Sequence, residues 1–150
     1  MSSFKGSYIY SVDAKGRVNL PAKMRKAVSP DANDTFTITF GFEHCLFVYP
    51  MDEWQIQEKK LRTLNAYRPD SRLLLRVMLE PAEDSQLDAQ ARITLSPKHR
   101  EYAGIKDEVL IVGQLDKIEL WNPQAYEEYK KNNLTKSYEQ IAAETMGQQG

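Results

Sequence analysis

The sequence predicts an α+β fold made from two copies of one strand–turn–strand–helix plan, and three observations point to it. A charged turn, Asp13-Ala14-Lys15-Gly16-Arg17, returns 75 residues later as Asp88-Ala89-Gln90-Ala91-Arg92. Its flank returns too, with Val18-Asn19-Leu20-Pro21-Ala22-Lys23-Met24-Arg25 matching Ile93-Thr94-Leu95-Ser96-Pro97-Lys98-His99-Arg100. Finally, β-branched and aromatic runs alternate with short helical patterns, and no segment approaches the roughly 18 apolar residues of a membrane span.

Taken in order, Tyr8-Ile9-Tyr10-Ser11-Val12 has the enrichment of a strand. Asp13 to Gly16 is a turn, because an Asp side chain bonds its own backbone two residues on and Gly tolerates positive φ. Val18 and Leu20 alternate with polar Arg17 and Asn19, as in a half-buried strand. Pro21 suits a first helical turn, so Ala22 to Ala27 reads as a short basic helix that stops before Ser29-Pro30. Phe36, Ile38 and Phe40 alternate with threonines in the next strand, and Gly41 to His44 turns it into Cys45–Tyr49.

A helix opens at Pro50-Met51-Asp52-Glu53-Trp54, with Trp54, Leu61 and Leu64 on its buried face. Asn65 to Ser71 reads as a connection. Arg72 to Glu80 is a second helix, too densely apolar for one amphipathic face, and is expected to be buried between elements or subunits. The second half repeats the plan. A strand runs to Leu87, followed by the turn 88–91, a strand over 92–95 and a short helix from Pro97 to Tyr102. Strands Val109–Gly113 and Lys117–Trp121 follow, then a helix from Pro123 to about Asn132. Residues 134–150 are polar, with weak helical character around Tyr138–Met146, and are expected to be loosely attached. The implied division is 7–54 and 85–128 for the two hairpin domains, 55–84 for connecting helices and 129–150 for a tail.

Each half, about 75 residues, is near the size at which a lone core is marginal, so the halves should share a core with each other or with neighbouring chains. The net charge of −1 conceals an asymmetry. Residues 1–30 carry six basic side chains against Asp13 alone, whereas residues 31–90 carry six against eleven acidic ones. The local excess around the first turn is the footprint of a polyanion partner, which the overall pI of about 6.1 hides. A solvated surface is the plain reading of such a cluster taken alone; its recurrence favours double-stranded DNA. The single cysteine, Cys45, excludes an intrachain disulfide and a cysteine-based zinc cluster. No signal peptide is evident, which suggests a cytoplasmic protein.

In each turn Asp precedes Arg by four residues. Such an Asp can pin the guanidinium and aim it outward, ready to pair bidentately with guanine or a phosphate. It can equally be an ion pair that only fixes the hairpin, and one carboxylate can serve both ends. Lys15, Lys23 and Arg25 add positive charge in the first copy, and Lys98 and Arg100 in the second. Gln90 and Ala91 replace Lys15 and Gly16, so the second turn is expected to keep its Arg but lose its support.

Catalytic patterns are thin. His44 and Cys45 are adjacent in an extended stretch and so point to opposite faces. Cys45 reads as a small apolar core residue, and Trp54 and Trp121 as core anchors. The pairs Asp52-Glu53, Glu83-Asp84 and Glu127-Glu128 sit at helix starts or on polar faces. No phosphate-cradling glycine loop follows a strand. An enzyme, a cofactor and a small-molecule substrate are therefore not expected.

Asp13-Ala14-Lys15-Gly16-Arg17 with Leu20-Pro21, then Leu46-Phe47-Val48-Tyr49-Pro50 and Trp54, then Asp88-Ala89-Gln90-Ala91-Arg92 and Glu119-Leu120-Trp121, together resemble the MraZ family. The resemblance runs from about Lys5 to Tyr126. It implies two AbrB/SpoVT-type swapped-hairpin β-barrel domains, double-ψ-like, packed as a pseudo-dimer, with chains joined in a homo-oligomeric ring. It further implies a nucleoid-associated transcription regulator of the division and cell-wall gene cluster that binds short direct repeats upstream of its own operon. The DNA-facing positions it implies are Asp13, Arg17, Asp88 and Arg92. The alternative is an antidote-type protein-interaction module on the same hairpin. Two domains and a short tail argue against it, since such antidotes usually pair one hairpin domain with a disordered tail.

Overall fold

A computed structural model describes residues 1–147; the end of the tail, Gln148 to Gly150, lies outside the described residues. The first half runs through β1 (Ser7–Ser11), β2 (Arg17–Asn19), α1 (Ala22–Ala27), β3 (Thr35–Phe40) and β4 (Leu46–Pro50). Two long connecting helices follow, α2 (Met51–Arg62) and α3 (Pro69–Leu79). The second half runs through β5 (Glu83–Gln86), β6 (Arg92–Thr94), α4 (Pro97–Ala103), β7 (Glu108–Gln114), β8 (Lys117–Trp121), α5 (Pro123–Asn133) and α6 (Tyr138–Gly147).

The halves are interleaved. A six-stranded antiparallel sheet has the order β1-β7-β8-β4-β3-β5, and β2 pairs with β6 in a separate two-stranded ribbon. First-half β1 thus lies on second-half β7, in register Ser7↔Val112 to Ser11↔Glu108, and β5 lies on first-half β3. This exchange solves the size problem: most strands of one half find a partner in the other, and one core serves both.

The expected closed barrel is not formed. The sheet is open, with β1 and β5 as its edges. The strands that could have bridged those edges, β2 and β6, are three residues each and pair with one another. Closure needs a strand bonded on both sides all round, and here β2 and β6 spend their ladder bonds on a ribbon.

The main core lies beneath that ribbon. Val18 and Ile93, opposite each other in register, are 1% exposed, and they pack with Leu20, Leu95, Phe36 and Ile118. A second cluster on the far side of the sheet gathers Cys45, Phe47, Tyr49, Trp54, Leu110 and Trp121. Both tryptophans are core residues, as expected, and Trp121 Nε1 donates to Glu119. Cys45 is fully buried, and desolvation pushes its thiol well above the ordinary range, so it is inert as a nucleophile. β3 is buried on both faces, not one, because α3 and α2 cover its second face; Thr37 there donates to Asp84 at 2.8 Å.

Two helices depart from expectation. α3 starts at Pro69, which takes the first helical position, so the segment read as a connection is partly helix. More importantly, α3 has no buried residue: Leu73, Leu74, Val77 and Leu79 are 59, 43, 54 and 43% exposed. Among the described residues nothing covers its second face. In α2, Trp54 is buried and Leu61 half-buried, while Leu64, expected on the same face, lies beyond the helix end at Arg62 and is half-buried there. α6 also buries none of its residues, leaving Tyr138 and Met146 exposed. No helix among the described residues is long and apolar enough to cross a membrane.

Candidate nucleic-acid interface

The two repeated turns have the same internal geometry. In turn 1 one Asp13 carboxylate oxygen accepts the Lys15 and Arg17 backbone N–H groups at 2.9 and 2.8 Å, and the other accepts Arg17 Nε at 2.6 Å. In turn 2 Asp88 accepts the Gln90 and Arg92 N–H groups at 2.9 and 3.0 Å and Arg92 Nε at 2.8 Å. The backbone closes identically, with Gly16 N–H on Asp13 O and Ala91 N–H on Asp88 O, both at 2.9 Å. The local reason is in the residue types: an Asx turn occupies one carboxylate oxygen and leaves the other free for a guanidinium.

The pinning expected of both copies is present in both: Asp88 holds Arg92 as Asp13 holds Arg17, and Arg92 Nη1 also approaches Asp13 to 3.8 Å. What differs lies around the Arg. Turn 1 carries the exposed Lys15 where turn 2 carries Gln90. Gly16 (φ +81) and Ala91 (φ +59) both adopt left-handed backbone, which is strained only for the alanine.

The carboxylates titrate accordingly. The Arg17 N–H lowers Asp13 most; against partial desolvation, the Arg17 guanidinium and the Lys15 N–H add to it, and the carboxyl falls to about 2 from 3.8. At Asp88 desolvation, which raises, is the largest influence, yet the Arg92 N–H, its guanidinium and the Gln90 N–H together outweigh it, so this carboxyl is lowered as well. Both are ionised, and both hold their Arg, throughout the neutral range.

The antiparallel β2–β6 ribbon carries the turns at its opposite ends, with Arg17 and Arg92 on the same outward face. Arg17 faces Thr94 and Asn19 faces Arg92 across it, while Val18 and Ile93 point inward and anchor it. Reciprocal bonds lock the turns to the opposite half: Leu20 N–H donates to Ala91 O at 3.0 Å, and Leu95 N–H donates to Gly16 O at 2.8 Å. Asn19 Nδ2 adds a bond to Gln90 O at 2.8 Å. Sequence reading did not single out Asn19; its side chain ties turn 2 to the first half, a contact between residues 71 apart in the chain.

The remaining candidates scatter. Lys15 extends from turn 1 into solvent. Lys23 is exposed on α1 and lines a groove with Lys5, Phe4 and Tyr8, away from the ribbon. Arg25 Nε donates to Leu20 O at 3.1 Å, beside turn 2, not turn 1, and lines a polar groove with Ser11 and Asn19. Lys98 pairs with Glu80 at 3.4 Å on an exposed surface. His99, placed on a basic helix, is fully buried instead, with Nε2 2.6 Å from Pro81 O.

Among the described residues no His, Cys, Asp and Glu cluster fit to hold a metal occurs. What the surface offers is two paired, pre-oriented guanidiniums on a short ribbon, flanked by lysine and asparagine. Such an arrangement can recognise planar acceptors and phosphates; it holds no nucleophile and base in reach of each other.

Relatives agree with one another. The family model described as "MraZ protein, putative antitoxin-like" matches twice, over residues 3–77 and 78–149. A protein of Natranaerobius thermophilus named transcriptional regulator MraZ is 38% identical over 94% of this chain and 95% of its own. Proteins of the same name from Syntrophomonas wolfei and Halothermothrix orenii are 41 and 40% identical, each over 93% of this chain and 94% of theirs. The internal repeat, the doubled Asp-pinned arginine and these matches over nearly the whole chain establish that the protein belongs to the MraZ family of transcriptional regulators.

Proposed function

We propose that this protein is a sequence-specific DNA-binding regulator that reads short direct repeats upstream of its own operon, in the division and cell-wall gene cluster, through the Asp13–Arg17 and Asp88–Arg92 turns. The observation that carries the reading is the β2–β6 ribbon with its two Asp-held arginines on one outward face. The major groove admits a two-stranded β-ribbon, and an arginine paired bidentately with guanine O6 and N7 is worth roughly 1–3 kcal/mol of base discrimination. Pinning by Asp removes rotamer freedom before binding, so less is lost on contact. Lys15 and Arg25 serve phosphates, and Asn19 holds the ribbon's shape; Lys23 and Lys98 are peripheral to it. The protein works on the nucleoid, in the cytoplasm, without cofactor.

Two turns on a chain of net charge −1 bind weakly alone. A homo-oligomeric ring answers this, because several turns on repeated sites raise avidity by about 10²–10⁴. The uncovered apolar side of α3 supports a neighbouring copy there. In this reading the hairpin domains are 7–54 and 85–128, with 55–84 as connecting helices that carry the assembly surface.

The antidote reading keeps one point in its favour, the antitoxin-like description of the family. The doubled turns favour the DNA reading over it.

Footprinting on the DNA upstream of the native gene tests the proposal, with protected direct repeats at regular spacing as the expected result. Arg17→Ala should lower affinity for that DNA about 10–100-fold, the equivalent of one bidentate pair. Arg92→Ala should cost less, because turn 2 lacks a lysine. Undiminished binding by Arg17→Ala removes the role of turn 1, and equal losses remove the asymmetry.

A further inference from the structure

Turn 1 has a neighbour that the repeat motif does not assign to it. Arg100, on α4 of the second half, lies under Gly16. A Cβ built on Gly16 would collide with the Leu95 carbonyl oxygen and come within 3.0 Å of Arg100 Nε and 3.2 Å of Cζ. The guanidinium thus lies in the space that a side chain at Gly16 would need, beside the turn that presents Arg17. Its Nε is buried and has no hydrogen-bond partner. The side chain as a whole is half-buried, and among the described residues its terminal amines pair with no carboxylate and are not among the buried unpartnered atoms.

The equivalent residue in the other half behaves differently. Arg25 Nε donates to Leu20 O, the carbonyl that corresponds to Leu95 O. Arg100 Nε makes no such bond. Lys98, the obvious cation of α4, is engaged with Glu80. A guanidinium with a shielded, unpartnered Nε costs stability unless something else engages it. Its free end opens beside the Asp13–Arg17 turn.

We infer that Arg100 is a DNA-contacting residue of turn 1, supplied by the second half, whose terminal amines take a phosphate next to the base that Arg17 addresses. Each turn then receives a cation from the helix of the opposite half: Arg100 serves turn 1, and Arg25 serves turn 2. Turn 1 gathers Lys15, Arg17 and Arg100, whereas turn 2, with Gln90 at its tip, gathers only Arg92 and Arg25. Gly16 is what leaves room for Arg100. The inference rests on the DNA-binding reading above.

The test is the salt dependence of binding to a short duplex recovered from a random-sequence library on the wild-type protein. Each phosphate contact contributes about 0.9 to the slope of log affinity against log salt. Arg100→Ala is expected to lower that slope by about one and affinity about tenfold at low salt. Arg100→Lys, which keeps the charge, should hold the slope, and Lys98→Ala should leave slope and affinity as they are. A wild-type slope in Arg100→Ala overturns the inference, whether or not affinity falls, since a residue that only props the turn releases no counterion. So does a loss in Lys98→Ala equal to that in Arg100→Ala. If Arg100→Ala fails to fold, Arg100→Gln keeps a polar stem and is read by the same slope. Failure of the wild-type protein to retain any duplex would sink the DNA-binding reading itself, which separates the two outcomes.

Discussion

Turn 1 and turn 2 share a skeleton and differ in what surrounds it. Both use one Asp to close an Asx turn and hold an arginine, with bond lengths that agree to within 0.2 Å. Both rest on a β-branched residue at the centre of the ribbon, Val18 or Ile93. Yet turn 1 has a glycine where backbone and guanidinium crowd it, and a lysine at its tip; turn 2 has an alanine held at φ +59 and a glutamine. The lesson is that duplication preserved the part of the motif that builds the turn, while the positions that adjust charge and clearance drifted apart.

The sharpest way to break this comparison is to give turn 1 the residue that turn 2 carries. Gly16→Ala places a Cβ against the Leu95 carbonyl and Arg100, on backbone at φ +81. The left-handed strain and the overpacking should together cost about 2–4 kcal/mol. Thermal denaturation checks it, and a melting temperature equal to wild type would show that the turn shifts freely. The backbone contact cannot be relieved by a side-chain rotamer, so little relief is expected.

Acid tests what the two turn carboxylates contribute to stability. Asp13 falls to about 2 in the folded protein from an ordinary 3.8. A carboxyl lowered on folding stabilises above its unfolded value, and that contribution disappears as pH falls through the folded one. The part of stability due to Asp13 is therefore complete above about pH 4 and lost towards pH 2. Urea midpoints measured over that range should decline for the wild-type protein and decline less for Asp13→Asn. Asp88→Asn should have the same sign, because that carboxyl is also lowered. A decline in Asp13→Asn as steep as in the wild type would show that other carboxylates govern acid unfolding.

How far the sequence foretold these differences follows from the range of each interaction. The turns were legible because every bond that makes them lies within five residues, Asp13 to Arg17 and Asp88 to Arg92. β3 and β4 were legible from alternation and a tight turn, and Trp54, Trp121 and Cys45 from side-chain chemistry. The exchange of strands was not, since β1 on β7 and β5 on β3 are matters of long-range register. That is why the closed barrel implied by resemblance became an open sheet with a ribbon. The fate of single cations was hidden for the same reason. Lys98 meets Glu80 eighteen residues away, and Arg100 meets Gly16 across the whole repeat. One signal was available for Arg100: it aligns with Arg25 in the repeat, and pseudo-symmetry puts aligned residues beside the opposite turns.

The reverse exchange should act with the opposite sign and a smaller size. Ala91→Gly removes a left-handed alanine, where an L-residue is strained, at the expense of greater freedom in the unfolded chain. The balance should favour the variant by about 1 kcal/mol. A small rise in melting temperature is expected; a fall would mean that the Ala91 methyl packs to advantage, and that turn 2 has been tuned for stability instead of for DNA.

The smallest effect should come from the tip of turn 2, and it bears most directly on why the copies differ. Gln90→Lys restores there the residue that turn 1 carries, on a backbone that already places it alike, since the Gln90 and Lys15 N–H groups meet their Asp at 2.9 Å. Both side chains are exposed, so the change introduces no burial and no new packing. If turn 2 lies against DNA as turn 1 does, the added ammonium reaches a phosphate. The salt slope should then steepen by about one, with a gain of a few-fold in affinity at low salt. An unchanged slope would place the tip of turn 2 away from the backbone and assign the reading of DNA to turn 1 alone. The fold would then have kept the second Asp–Arg pair for the ribbon it builds, because Asn19 and Leu20 depend on that turn for their bonds.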